Sequence, residues 1–178
     1  MDNATLISLV IAIVALGGVL LLLAERKRSR KLKSRFGVEY DRTLGAAGNV
    51  GSAESILSQR QRRVAKYRVR PLTRDERDRY AIEWRQAQTR FVDDPRAAVA
   101  SADFLVREAM SLRGYPNGSF EKQAEDLSVD HAAVLGEYRM AHDIALRSEY
   151  GQATTEELRL AMQYYRIIFE EVAETRAA

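Results

Sequence analysis

Twenty consecutive residues without a charge or a proline, Thr5 to Ala24 (TLISLVIAIVALGGVLLLLA), stand near the start of this chain, and ERKRSRKLK follows at once. At about 1.5 Å per residue the run makes roughly 30 Å of helix, the hydrocarbon thickness of a bilayer. A helix of this kind satisfies its own backbone hydrogen bonds in lipid. The sequence therefore predicts a transmembrane helix over 5–24. Only Met1, Asp2, Asn3 and Ala4 precede it, whereas Arg26, Lys27, Arg28, Arg30, Lys31, Lys33 and Arg35 follow closely. Cations beside a span stay on the cytoplasmic side. The expectation is a single-pass protein of the cell (inner) membrane, N-terminus outside, with 25–178 in the cytoplasm. A cleavable signal peptide has the opposite order, cations before a shorter apolar stretch. Those seven cations are assigned to contact with anionic lipid headgroups.

The chain has no cysteine, which excludes a disulfide framework and thiolate metal sites. About 150 residues beyond the apolar run suffice for one domain with a modest core. The net charge of +3 hides a division: residues 25–70 hold fourteen Lys and Arg against four Asp and Glu, and residues 71–178 hold fourteen against twenty.

Beyond Ala24 the punctuation divides the chain into a basic juxtamembrane segment and Gly-rich linker over 25–52, a basic helix and extended connector over 53–72, and a helical bundle domain over 73–178. Residues 25–36 read as a helical continuation of the apolar run. Leu44 to Ser52 (LGAAGNVGS) reads as a flexible linker. Glu54 to Tyr67 reads as a basic helix, which must end before Pro71. Thr73 with Glu76 makes a capping box for a helix to about Val92, with Tyr80, Trp84, Ala87 and Phe91 on its stripe. Asp94 and Pro95 supply an N-cap and a first-turn proline for a helix over 95–113, which Gly114 ends. Val99, Ala102, Leu105, Val106, Ala109 and Leu112 are its apolar positions, with Asp103 four residues before Arg107.

A short helix fits 119–126, and Ser128 is placed as the cap of a helix over 129–149, with Val134, Tyr138, Ala141 and Ala145 facing one way. Thr154 and Glu157 form a second capping box for a helix over 155–175 carrying Leu158, Ala161, Met162, Tyr165, Phe169 and Val172. No segment alternates with strand period. The predicted class is all-α: an N-terminal transmembrane helix plus a cytoplasmic antiparallel bundle of about four helices.

Chemistry is sparsely indicated. His131 and His142 lie eleven residues apart on one expected helix, roughly 16 Å along its axis, too far for one metal. Asp94 is accounted for as a cap and Asp103 by its pairing with Arg107, while Glu170, Glu171 and Glu174 read as a solvated face. Phosphate-loop, dinucleotide, HExxH, nucleophile-elbow and kinase signatures are missing. The sequence thus names no catalytic, cofactor-binding or metal-binding residue and no cofactor. The aromatics Trp84, Phe91, Tyr138, Tyr165 and Phe169 sit at helical spacing and read as core. The dipeptide Tyr-Arg recurs at 138–139 and 165–166, a candidate paired arginine surface. The second basic cluster, Arg60, Arg62, Arg63, Lys66, Arg68 and Arg70, suits lipid or the acidic domain better than a phosphate backbone, so nucleic acid is the minor reading.

Four phrases carry a resemblance: residues 32–42 (LKSRFGVEYDR), 84–95 (WRQAQTRFVDDP), 113–116 (RGYP) and 126–131 (DLSVDH). Together they resemble an uncharacterised family of small bacterial membrane proteins with one N-terminal span and a helical domain. Val38 stands where that family's phrase has proline. The resemblance implies a span and a helical domain and carries no activity to any residue. Phe36 and Tyr40, four apart amid charges, are candidate interface anchors. The functional expectation is a membrane-tethered helical interaction module with a lipid bilayer and an unidentified protein as partners. The alternative is an enzyme or small-ligand sensor whose site spacing does not reveal, and the minor alternative is a membrane-anchored nucleic-acid binder through 54–70.

Overall fold

The computed structural model describes residues 3–173, with side chains in the first helix described at 13, 16–20 and from 22 onward. Glu174 and the expected last turn to 175 lie outside the described residues. Among the described residues there are helices and no strand. The chain divides into two compact units, Met1–Leu57 and Ser58–Ala178.

In the first unit, α1 runs from Asn3 to Phe36, so the apolar run and its basic continuation form one helix. Among the described residues no helix is long and apolar enough to cross a membrane. This corrects the expected transmembrane helix over 5–24 and the single-pass membrane assignment built on it. The physical reason lies in how the helix is composed. Its last twelve residues, 25–36, include eight charged side chains, so the helix is not apolar along its length.

Gly37 (φ 49°) breaks the chain between α1 and α2 (Val38–Ala47). Leu44 to Ser52, expected as a flexible linker, is mostly helical. Its first residues finish α2, Gly48 takes a left-handed conformation, and α3 begins at Val50. The Asn49 side chain accepts a hydrogen bond from the Ser52 amide at 2.8 Å, a local cap that favours restarting a helix over a flexible coil. Helix α3 runs from Val50 to Val64.

In the second unit both capping boxes form, at Thr73–Glu76 and Thr154–Glu157, and open α4 (Arg74–Arg90) and α8 (Thr155–Val172). Asp94 caps α5 (Pro95–Arg113) through the Ala97 amide at 3.0 Å. The short helix is α6 (Phe120–Leu127), capped by Ser119. The expected helix from 129 starts late. Ser128 turns its hydroxyl back to the Glu125 carbonyl and closes α6 instead. A 3-10 turn at Ala132–Val134 then leads into α7 (Leu135–Glu149).

Helices α4, α5, α7 and α8 pack side by side, α5 and α7 both lying against α8 and α4 against α5. The expected stripe of α8 is buried in full, as are Tyr80, Trp84 and Ala87 of α4; Phe91 is half-buried at the end of that helix. Trp84 stacks on Phe169 with ring centroids 4.8 Å apart and planes 15° apart, which ties α4 to α8.

Candidate functional site

Asp103 is a buried carboxylate engaged from three helices of the second unit. It faces inward from α5 and is 7% exposed. The buried Tyr165 hydroxyl of α8 donates to Asp103 Oδ1 at 2.9 Å, and Arg107, one turn along α5, pairs with Oδ2 at 2.5 Å. His142 of α7 brings Nδ1 to 3.7 Å from Oδ1 while its ring stacks on Phe120 at 3.6 Å between centroids. Burial pushes the Asp103 pKa up. The partners His142, Arg107 and Tyr165 outweigh it and hold the carboxyl below its ordinary value. Burial next to this carboxylate raises the Tyr165 hydroxyl pKa far above 10.0. Tyr138 is also 0% exposed, its pKa raised by burial and by Asp103, and its hydroxyl has no hydrogen-bond partner among the described residues.

The recurrent Tyr-Arg dipeptide therefore has a reading different from a paired arginine surface. Both tyrosines turn inward, and Arg166 pairs with Glu170 at 2.7 Å along its own helix. The two histidines do not converge: His131 Nδ1 lies 3.0 Å from Glu171 Oε1, and His142 belongs to the Asp103 cluster. Among the described residues no group of three or more His, Asp and Glu side chains is placed to hold a metal.

Half of the second basic cluster, Arg60, Arg63 and Arg70, pairs with carboxylates of α6 and α4, while Arg62, Lys66 and Arg68 are exposed. Arg63 Nε donates to Asp126 Oδ1 at 2.7 Å, its Nη2 and that of Arg60 reach Glu125, and the Tyr67 hydroxyl donates to Asp126 Oδ2 at 2.8 Å. Arg70 bridges Glu76 through two bonds of 2.7 Å. The connector is pinned at Gly114 as well, where the Arg70 amide donates to the Arg113 carbonyl at 2.9 Å. Arg113, 6% exposed, reaches on to the Val172 carbonyl at 2.8 Å and satisfies the end of α8. The phrases RGYP and DLSVDH are thus tertiary junctions, with Tyr115 and Asp126 buried in them.

In the first unit, Arg26, Lys27, Arg28, Arg30, Lys31, Lys33 and Arg35 are all exposed along α1, and Lys33 lies 3.9 Å from Asp41. Phe36 is 0% exposed, and Tyr40 is buried with its hydroxyl donating to Glu54 at 3.1 Å. The phrase RFGVEYDR places both aromatics inward.

The surface that sequence reasoning missed is the outer face of α4 and α5. Phe104 is 58% exposed and Ile82 49%. A groove of about 540 Å³ runs between the helices, with Ala87, Ala97, Ala100 and Leu105 below and Phe104, Glu83 and Arg90 among its walls. On the other side of Phe104 lies a recess of about 340 Å³, lined by Arg107, Glu108, Ser111, Asn117, Gly118 and Gln123. The available signal was that Phe104 falls off the apolar stripe of α5, next to Asp103. The chain matches no protein family, no curated protein and no solved structure.

Proposed function

We propose that the helical unit 58–178 is an interaction module that takes a protein partner along the outer face of α4 and α5. The observation that carries this reading is Phe104, an aromatic ring exposed between two concavities. A single exposed apolar residue is ordinary on a protein surface. A ring that walls an alanine-floored groove is different, because small residues let a partner backbone approach while the aromatic supplies an anchor. The apolar lining and helical walls of the groove suit an amphipathic helix laid between α4 and α5.

The Asp103 cluster favours this reading over an enzyme. Its carboxylate is engaged by Tyr165 and Arg107, and the His142 ring is covered by Phe120. That arrangement locks three helices together. The nucleic-acid reading is weakened because Arg60, Arg63 and Arg70 are paired with carboxylates of their own domain.

The test places a photo-crosslinking residue at 104 in the full chain, with Met140, exposed on α7, as the control position. A crosslinked protein is then purified and its binding measured. The expected result is a crosslink specific to position 104 and at least a tenfold loss of binding in Phe104→Asp, with unchanged helical content. Equal crosslinking from 104 and 140, or undiminished binding by the variant, would overturn the reading.

A further inference from the structure

We infer that Asn117–Gly118, in the loop between α5 and α6, is a site of spontaneous covalent modification, where the asparagine closes into a succinimide and opens to aspartate and isoaspartate. The reaction needs an unhindered main-chain nitrogen after the asparagine, an asparagine side chain free to bend back onto it, and water. The loop supplies all three. Gly118 has no side chain to shield its nitrogen, and its amide makes no hydrogen bond among the described residues. An N–H held in a helix would first have to give up its carbonyl partner, and this one has none to give up. The Asn117 side chain likewise makes no hydrogen bond among the described residues. Both residues are exposed and line the recess of about 340 Å³ beside Phe104, so water reaches them from its open side.

Asn49 provides the contrast within the same chain. It is also exposed, but its side-chain oxygen accepts the Ser52 amide at 2.8 Å and the next residue is Val50, the start of α3. The branched valine side chain crowds the nitrogen, and the cap holds the asparagine amide away from it. At Asn117 the Gly118 nitrogen gives its proton to solvent hydroxide and attacks Cγ. The Cγ–Nδ2 bond breaks, the side-chain amide leaves as ammonia, and a cyclic imide remains. Water then adds to either imide carbonyl. Opening at Cγ gives aspartate, and opening at the main-chain carbonyl gives isoaspartate, whose backbone runs through Cγ. The net change is one water taken up and one ammonia released, with nothing oxidised or reduced. Each product places a carboxylate on a recess wall that already holds Arg107 and Glu108. The iso form also lengthens the main chain by one methylene just ahead of Ser119, the N-cap of α6.

The experiment incubates the purified full chain at mildly alkaline pH and follows positions 117 and 49 by peptide mapping, with isoaspartyl methyltransferase labelling to count the iso form. A free peptide of residues 113–122 gives the unprotected rate. The expected result is conversion at 117 at least tenfold faster than at 49 and within tenfold of the peptide, with isoaspartate among the products. In Gly118→Ala the new Cβ would meet only Lys122 side-chain carbons, at 3.7 Å and 3.8 Å, so the helical content is expected to persist while conversion slows at least fivefold. Equal rates at 117 and 49, aspartate without isoaspartate, an unchanged rate in Gly118→Ala, or a folded chain more than tenfold slower than the peptide would each overturn the inference.

Discussion

The same substitution, tyrosine to phenylalanine, is predicted to act with opposite sign at two buried positions of the Asp103 cluster. Tyr165 and Tyr138 are both 0% exposed, so each loses one hydroxyl in an equally dry setting. The Tyr165 hydroxyl donates to the Asp103 carboxylate at 2.9 Å. A hydrogen bond to a charged group is worth about 1.5–3 kcal/mol, and Tyr165→Phe is expected to cost that much. The Tyr138 hydroxyl has no partner among the described residues, so burying it already carries a desolvation penalty of roughly 1–3 kcal/mol. Tyr138→Phe removes that penalty and leaves a void of one oxygen, for a net gain of about 1 kcal/mol. Urea denaturation followed by circular dichroism reads the difference as opposite shifts of the midpoint at constant slope. A loss of more than about 1 kcal/mol in Tyr138→Phe would refute the reasoning, since it would mean that the hydroxyl has a partner in solution. Asp103 gives an independent check. Its folded-state pKa is depressed, so its stabilisation is present above the unfolded value of 3.8 and is lost as pH falls below it. Tyr165→Phe removes one of the causes and is expected to raise the Asp103 pKa, moving that loss to higher pH.

Two further outcomes are expected. Gly114 has φ 101°, and a Cβ there would stand 2.7 Å from the Arg68 carbonyl oxygen, so Gly114→Ala combines backbone strain with a clash against main chain. It is expected to cost about 3 kcal/mol or more, against roughly 1 kcal/mol for Gly151→Ala, where φ is 71° and the nearest atoms, at 3.5 Å, belong to the flexible Arg96 side chain; equal losses in thermal melts would sink the argument. Glu76 is held down to about 2 by Arg70 and the Thr73 amide, and Glu157 to about 2 by the Thr154 amide and Arg147. Their capping boxes therefore stabilise α4 and α8 above the ordinary value of 4.5 and weaken as pH falls towards 2, which an NMR titration of the Glu76 and Glu157 amides reads directly.

Local chemistry in the sequence set the helix starts. Thr73, Asp94 and Thr154 cap where a short polar side chain precedes a periodic stretch, because a cap needs only residues within one turn. The same locality fixed the buried stripes of α4 and α8, which follow from spacing alone. It failed at Ser128, where two helix ends compete for one hydroxyl and α6 takes it, and at Leu44 to Ser52, where glycine composition suggested a coil but the Asn49 cap restarts a helix. It failed again at the apolar run, where composition indicated a span but, among the described residues, no helix is long and apolar enough to cross a membrane.

Tertiary structure alone decided everything that depends on residues far apart in the chain. Asp103, His142 and Tyr165 converge from three helices, and nothing in their individual contexts distinguishes them from ordinary helix residues. Arg63 meets Asp126 across 63 positions, so of the two alternatives the sequence left open for the basic cluster, lipid or the acidic domain, Arg60 and Arg63 take the acidic domain. Phe104 remained outside, beside a groove between α4 and α5. The sequence determined which segments coil and which faces must be covered, since those are nearest-neighbour properties. Which faces met, and which ring was left without a cover, are properties of the assembled bundle.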